Sequence, residues 1–159
     1  MEGKKGQVGK YMEQDYRHKK GIEGENYITD ELSKLGFEII YVGDVVKHTI
    51  DGPKFFCVDL LVYGKGRCFW VQCKNKEPRK AYPDTGLELW RFQGLKKLQQ
   101  KSNIPVLLLF TDSSQRIYGD WIDDSKETDN HGNTFNLAEN CEMIYFWLSD
   151  LKELYQLLP

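Results

Sequence analysis

Four side chains carry the chemistry this chain is best equipped for: Glu25, Asp59, Gln72 and Lys74. Phe55 to Tyr63 and Cys68 to Lys74 are β-rich runs separated by Gly64-Lys65-Gly66-Arg67, a strong hairpin signal. With Lys65 and Gly66 as the hairpin loop, Tyr63 pairs with Cys68, and counting back along both arms sets Asp59 opposite Gln72. Lys74 follows on the same face as Gln72, because strand side chains alternate. The other face reads Val58, Leu60, Val62, Phe69, Val71 and Cys73, all core-like. Phe55, Cys57, Leu61 and Trp70 share the polar face, so both faces look covered. An Asp and a Lys inside such a sheet cost on the order of several kcal/mol unless paired or metal-bound.

Glu25 joins by angle. At roughly 100° per residue on a helix it falls in the sector of Ile28, Leu32 and Leu35, aimed at the sheet, whereas Glu23 points away. The set suits phosphodiester hydrolysis. Mg²⁺ takes one or two carboxylates and keeps several waters, which Glu25 and Asp59 can satisfy, with the Gln72 side-chain oxygen and the Cys73 backbone carbonyl completing the shell. The metal would polarise a phosphoryl oxygen and acidify the attacking water, with Lys74 orienting that water or stabilising the transition-state charge. An ordinary buried Asp59–Lys74 ion pair is the bland alternative, and such pairs are uncommon without a functional reason.

The elements that must position these residues follow from pattern. Residues 1–20 are polar, Gly-rich and poorly periodic, and read as a flexible arm or a loosely packed extra helix. A helix is expected from Gly21, stopped by Gly36, then a strand from Phe37 to Val46 and a turn at Asp51-Gly52-Pro53. After the hairpin, Glu77 to Gly86 with Pro78 and Pro83 reads as loop. Leu87 to Ser102 reads as a helix, Ile104 to Thr111 as a buried strand and Arg116 to Ile122 as another. Residues 123–136 form a polar acidic loop, Glu142 to Trp147 a last strand, and Leu151 to Leu158 a short helix. The order predicts an α/β fold, a central mixed sheet flanked by helices.

At 159 residues with 40% hydrophobic content, one domain is the expectation for 21–159, with a core at 21–111 and an extension at 112–159. The longest apolar runs are too short to span a bilayer, which points to a soluble cytoplasmic protein. Cys57, Cys68, Cys73 and Cys141 lack metal-ligand spacing and read as reduced core cysteines. A net charge of -2 gives no global nucleic-acid footprint, but charge is polarised. Residues 1–20 hold six Lys/Arg against three acids, and 112–142 hold eight acids against Arg116 and Lys126. His18, His48 and His131 read as surface positions. Asp123, Asp124, Glu127 and Asp129 lack calcium-loop spacing and read as a solvated loop, and Tyr118 and Trp121 as core rather than base-stacking aromatics.

Lys20-Gly21, Glu25, Gly36-Phe37, Val58-Asp59 and Val71-Gln72-Cys73-Lys74 together resemble the PD-(D/E)xK nuclease superfamily. Within it, the stretch from Lys20 to Phe110 looks like the archaeal-type Holliday-junction resolvases and the Mrr-like restriction endonucleases. In that pattern a Gly-aromatic pair follows the helix acid by eleven residues, as Gly36 follows Glu25. The resemblance implies a restriction-endonuclease-like core, Mg²⁺ or Mn²⁺, double-stranded or branched DNA, and often a homodimer. Glu25, Asp59 and Lys74 match the helix acid, the strand acid and the lysine. Gln72 stands where glutamate is usual, although Gln occurs in Mrr-like members, and Val58 stands where proline is usual. Lys20, Lys76, Arg79, Lys80 and Gln93 are the candidate DNA contacts, with a solvated loop the alternative for Lys76, Arg79 and Lys80 and an exposed helix face the alternative for Gln93. The expected function is a metal-dependent DNA endonuclease in recombination, repair or restriction. Its rivals are a catalytically inactive DNA-binding or assembly module on the same fold, and an RNA nuclease using a metal-free Tyr/His/Lys set.

Overall fold

The computed structural model describes residues 3–42, 58–128, 135–136 and 141–159, the first helix by its backbone alone up to residue 15. The turn at Asp51-Gly52-Pro53, Phe55, Cys57, His48, Asp129 and His131 lie outside the described residues.

The first helix, α1, runs unbroken over Gly3–Lys34, so of the two expectations for residues 1–20 the helix holds over 3–20, continuous with the helix expected from Gly21 rather than separate from it. Between residues 7 and 20 no proline intervenes, and Lys, Gln, Glu and Met favour the helix enough to carry it through Gly9. It ends as expected: Gly36 takes φ 93°, its N–H donates to Ser33 O at 2.9 Å and the Phe37 N–H to Leu32 O at 3.2 Å, a Schellman cap that only glycine adopts without strain.

Strands β1 (Glu38–Tyr41), β2 (Leu60–Gly64) and β3 (Arg67–Asn75) follow. The hairpin register is the expected one, Tyr63 opposite Cys68, turned by Lys65 at φ 52° and Gly66 at φ 73°. Next come β4 (Asp84–Glu88), helix α2 (Leu89–Ser102), β5 (Val106–Thr111), β6 (Ile117–Trp121) and β7 (Phe135–Asn136). β8 (Cys141–Trp147), a 3-10 turn (Leu148–Asp150), β9 (Lys152–Glu153) and helix α3 (Leu154–Leu157) complete the chain. Two expectations shift here. The segment after Pro83 is strand rather than loop, because β8 pairs with it from Asp84–Trp147 to Glu88–Met143. The terminal helix is shorter, because Lys152 and Glu153 pair with β6 before it starts.

Six strands form the central sheet in the order β1-β2-β3-β5-β6-β9, mixed because β3 and β5 run parallel and the other neighbours antiparallel. A second sheet, β4-β8-β7, was not expected. All six residues of β5 are buried, as its place between two covered faces requires. On one face Ile28 and Leu32 of α1 and Leu154 and Leu157 of α3 pack on Leu60, Val62, Phe69, Val71, Leu107 and Leu109. On the other, Phe92, Leu95 and Leu98 of α2 with Leu87, Ile144 and Phe146 of the second sheet pack on Val106, Leu108 and Phe110. Tyr118 and Ile122 join this second layer, while Trp121 packs edge-on against Phe69, so both aromatics are core as expected. Val58 departs from the alternation: it belongs to the second layer, since the regular strand starts only at Leu60. Cys68 is exposed rather than core, lying beside the hairpin turn, and Cys73 and Cys141 are part-buried. Among the described residues no helix is long and apolar enough to cross a membrane.

α1 approaches β3 closely at one point. A Cβ on Gly24 would stand 2.5 Å from the Asn75 Cβ, while Asn75 Nδ2 donates to the Lys20 carbonyl at 2.9 Å. Gly21 has nothing within 4 Å of its would-be Cβ. Gly24→Ala is therefore expected to lower unfolding stability by ~1–3 kcal/mol in urea titrations through overpacking, whereas Gly21→Ala leaves it unchanged or raises it by up to ~1 kcal/mol. Equal behaviour of the two variants would contradict the close approach.

Candidate active site

Asp59 sits just before β2, where its backbone carbonyl accepts from Val42 N–H at 3.0 Å and its Oδ2 accepts from Cys73 N–H at 2.9 Å. The carboxylate thus closes the ladder that the backbone leaves open beyond the Leu60–Val71 pair. Gln72 and Lys74 follow on β3, opposite Leu108 and Phe110, and so face the α2 side of the sheet. Glu25 comes from the other side, one turn before Ile28, which is fully buried on the α1 face. The four residues therefore do not share one face. They converge at the end of the hairpin, lining a single open cleft of about 810 Å³.

The electrostatics are those of crowded acids. Burial, and then the neighbouring Asp59 charge, push Glu25 up to about 7. Burial also raises Asp59, opposed by the Cys73 N–H and by the positive charges of Arg91 and Lys74. Burial and the two acids raise the Cys73 thiol well above its usual range, so it stays a neutral thiol. Gln72 is 3% exposed, and among the described residues its Oε1 has no hydrogen-bond partner, while its Nε2 donates a long 3.4 Å contact to the Cys73 carbonyl. A buried amide oxygen without a donor is costly unless something cationic or hydrogen-bonding meets it. Among the described residues, no three or more His, Cys, Asp or Glu side chains are grouped to hold a metal ion. The donor set is instead two carboxylates and the orphaned amide oxygen, with the Cys73 carbonyl beside them. Such a set fits a hard cation that retains water, and fits Zn²⁺ poorly.

Two residues of this cleft were not anticipated. Lys74 Nζ is held by both oxygens of Glu88, at 2.9 and 3.2 Å, and Arg91 Nε reaches Glu88 Oε2 at 3.3 Å. The sequence pattern puts Glu88 in the first turn of a helix, whereas it ends β4 and stands at the N-cap of α2. An acid between Leu87 and Leu89 was the available signal, since both flanking residues are apolar.

The expected DNA contacts divide. Lys20 and Lys76 line the cleft, as does the exposed His18. Arg79 is committed elsewhere: it forks onto the fully buried Asp84 at 2.7 and 2.6 Å and stacks on Tyr145 with its guanidinium carbon 3.6 Å from the ring centroid. Lys80 and Gln93 are exposed and do not line the cleft. Asp123, Asp124 and Glu127 are exposed, as a solvated loop requires.

The fold belongs to the class of α/β proteins with a central mixed sheet covered by helices. A solved structure of Hjc, a Holliday junction resolvase from the archaeal hyperthermophile Archaeoglobus fulgidus, matches it with a TM-score of 0.59 over 86% of this chain and 93% of that one, at 14% sequence identity. No protein-family model and no curated protein sequence matches the chain.

The raised carboxylates make a prediction with a definite sign. An acid with a higher pKa folded than unfolded contributes stability below its unfolded value, and loses it as pH rises through the folded one. Without divalent metal, stability should fall between about pH 4.5 and about 7 by on the order of 1 kcal/mol, the half-exposed position of Glu25 screening the full effect. Thermal melts should show a smaller decline in Glu25→Gln than in the wild type, the remainder belonging to the raised Asp59. A decline that persists unchanged in the variant would assign it to other groups.

Proposed function

We propose that this chain is a metal-dependent DNA endonuclease of the PD-(D/E)xK type, hydrolysing phosphodiester bonds in duplex or branched DNA during recombination, repair or restriction in the cytoplasm. The observation that carries the reading is the convergence of Glu25, Asp59 and the partnerless Gln72 Oε1 in one open cleft, with Lys74 beside them. The fold of a Holliday junction resolvase supports it.

Glu25, Asp59 and Gln72 Oε1 would hold Mg²⁺ or Mn²⁺, which when bound supplies charge neutralisation at the phosphoryl oxygens and an acidified water. Asp59 is fixed by the Cys73 N–H, so one carboxylate oxygen is oriented and the other is left for the cleft. With its carboxyl pushed up to about 7, Glu25 ionises more readily when positive charge arrives, which would couple metal loading to proton release. Lys74 presents a cationic donor for the attacking water or the developing phosphorane charge. Lys20 and Lys76, on the cleft wall, contact flanking phosphates and set register rather than sequence preference. Gln72 contributes a neutral oxygen where a carboxylate would bind more strongly, so metal affinity is modest.

Gln72 is also what favours the rival, an inactive DNA-binding module. Labelled four-way-junction, linear and single-stranded DNA incubated with Mg²⁺ or Mn²⁺ separates the two. Cleavage by the wild type, stopped by chelator and reduced by roughly 10²-fold or more in Asp59→Ala and Lys74→Ala, is expected. Binding without cleavage under either metal would leave the inactive module. Cleavage of RNA that survives chelation would replace both.

A further inference from the structure

Glu88 has no part in the chemistry assigned above, yet its geometry is that of a working residue. It stands at the N-cap of α2, with φ -61° and ψ 132°, and makes no side-chain capping hydrogen bond. A carboxylate at that position ordinarily accepts from the helix's first N–H groups. Here both of its oxygens accept from Lys74 Nζ instead, at 2.9 and 3.2 Å, and Arg91 Nε approaches the second at 3.3 Å. The Glu88 side chain is 5% exposed against 24% for Lys74, so the acid is the anchored end and the ammonium the end that opens on the cleft.

The anchor is itself braced. β4 is pinned along its length to β8, and at its start the fully buried Asp84 is neutralised by Arg79. On β3 the neighbour of Lys74 on the same face is Gln72, which carries no charge. The negative charge in contact with the lysine therefore arrives from a different sheet.

We propose that Glu88 is a positioning residue for Lys74: the second sheet delivers a buried carboxylate that fixes the ammonium at the cleft and supplies the negative charge that Gln72 does not place beside it. What Lys74 then does rests on the nuclease reading; where it is held does not. The same geometry predicts that an acid introduced at position 72, on the same face and two residues away, takes over when Glu88 is neutralised.

Two measurements test this on the full chain. In the first, lysines are reductively methylated with ¹³C-formaldehyde and the Lys74 resonance is assigned with Lys74→Arg. It should lie apart from the exposed lysines in the wild type, merge with them in Glu88→Gln, and move back out in Gln72→Glu/Glu88→Gln. In the second, Glu88→Gln should lower kcat by roughly 10- to 100-fold with KM for DNA little changed, since a misplaced group weakens the reaction more than binding. With metal saturating for every variant, Gln72→Glu/Glu88→Gln should recover most of that loss, and Glu88→Asp should retain part of the activity if the amide variant folds poorly. An unmoved Lys74 resonance in Glu88→Gln overturns the proposal, as does a kcat loss that the folded double variant does not recover. If the wild type cuts no DNA, the nuclease reading falls, and the resonance alone decides whether Glu88 positions Lys74.

Discussion

Two carboxylates that share a partly desolvated site repel one another, and this chain places Glu25 and Asp59 together at the end of its hairpin. Burial and the charge of Asp59 hold Glu25 near neutrality, and burial raises Asp59 despite an N–H from Cys73 and two nearby cations. Together with a buried amide oxygen that meets no donor among the described residues, the arrangement gathers unfavourable interactions at one spot. A positive ligand that accepts oxygen donors would relieve both costs at once.

The rest of the fold makes that juxtaposition affordable. Leu60, Val62, Phe69 and Val71 lock the hairpin against α1, and the β3–β5 parallel pair locks it to a strand buried on both faces. The absence of a side chain at Gly24 lets α1 come down on Asn75, setting the height at which the next residue, Glu25, enters the cleft. From the opposite face, β4 brings Glu88 to Lys74, and α2 brings Arg91 to Glu88. The cleft is thus built where elements from both faces meet, and the residues from 112 onward take part: β6 and β9 complete the central sheet, while β8 holds β4 in place.

Local rules made much of this legible. The Gly64-to-Arg67 turn fixes the hairpin register, and with it the neighbourhood of Asp59, Gln72 and Lys74. The apolar stripe through Ile28 and Leu32 aims Glu25, and Gly36 ends its helix. What escaped depends on partners remote in sequence. Asp84 to Glu88 looks like loop running into helix until β8, almost sixty residues later, pairs with it. Arg79 looks like a phosphate contact until Asp84 is seen buried beneath it. The start of α1 escaped for the opposite reason: propensity without periodicity gives no amphipathic signal, and the helix formed nonetheless.

The central claim is that Glu25 and Asp59 form a site completed by a divalent cation. Isothermal titration calorimetry of Mn²⁺ into the wild type and Asp59→Asn near pH 6, in two buffers of different ionisation enthalpy, tests it most directly. The account predicts one ion bound by the wild type with net release of protons, because Glu25, whose carboxyl is pushed up to about 7, must ionise to bind, and little or no binding in the variant. Equal binding by both proteins, or none by the wild type at millimolar Mn²⁺, would contradict it.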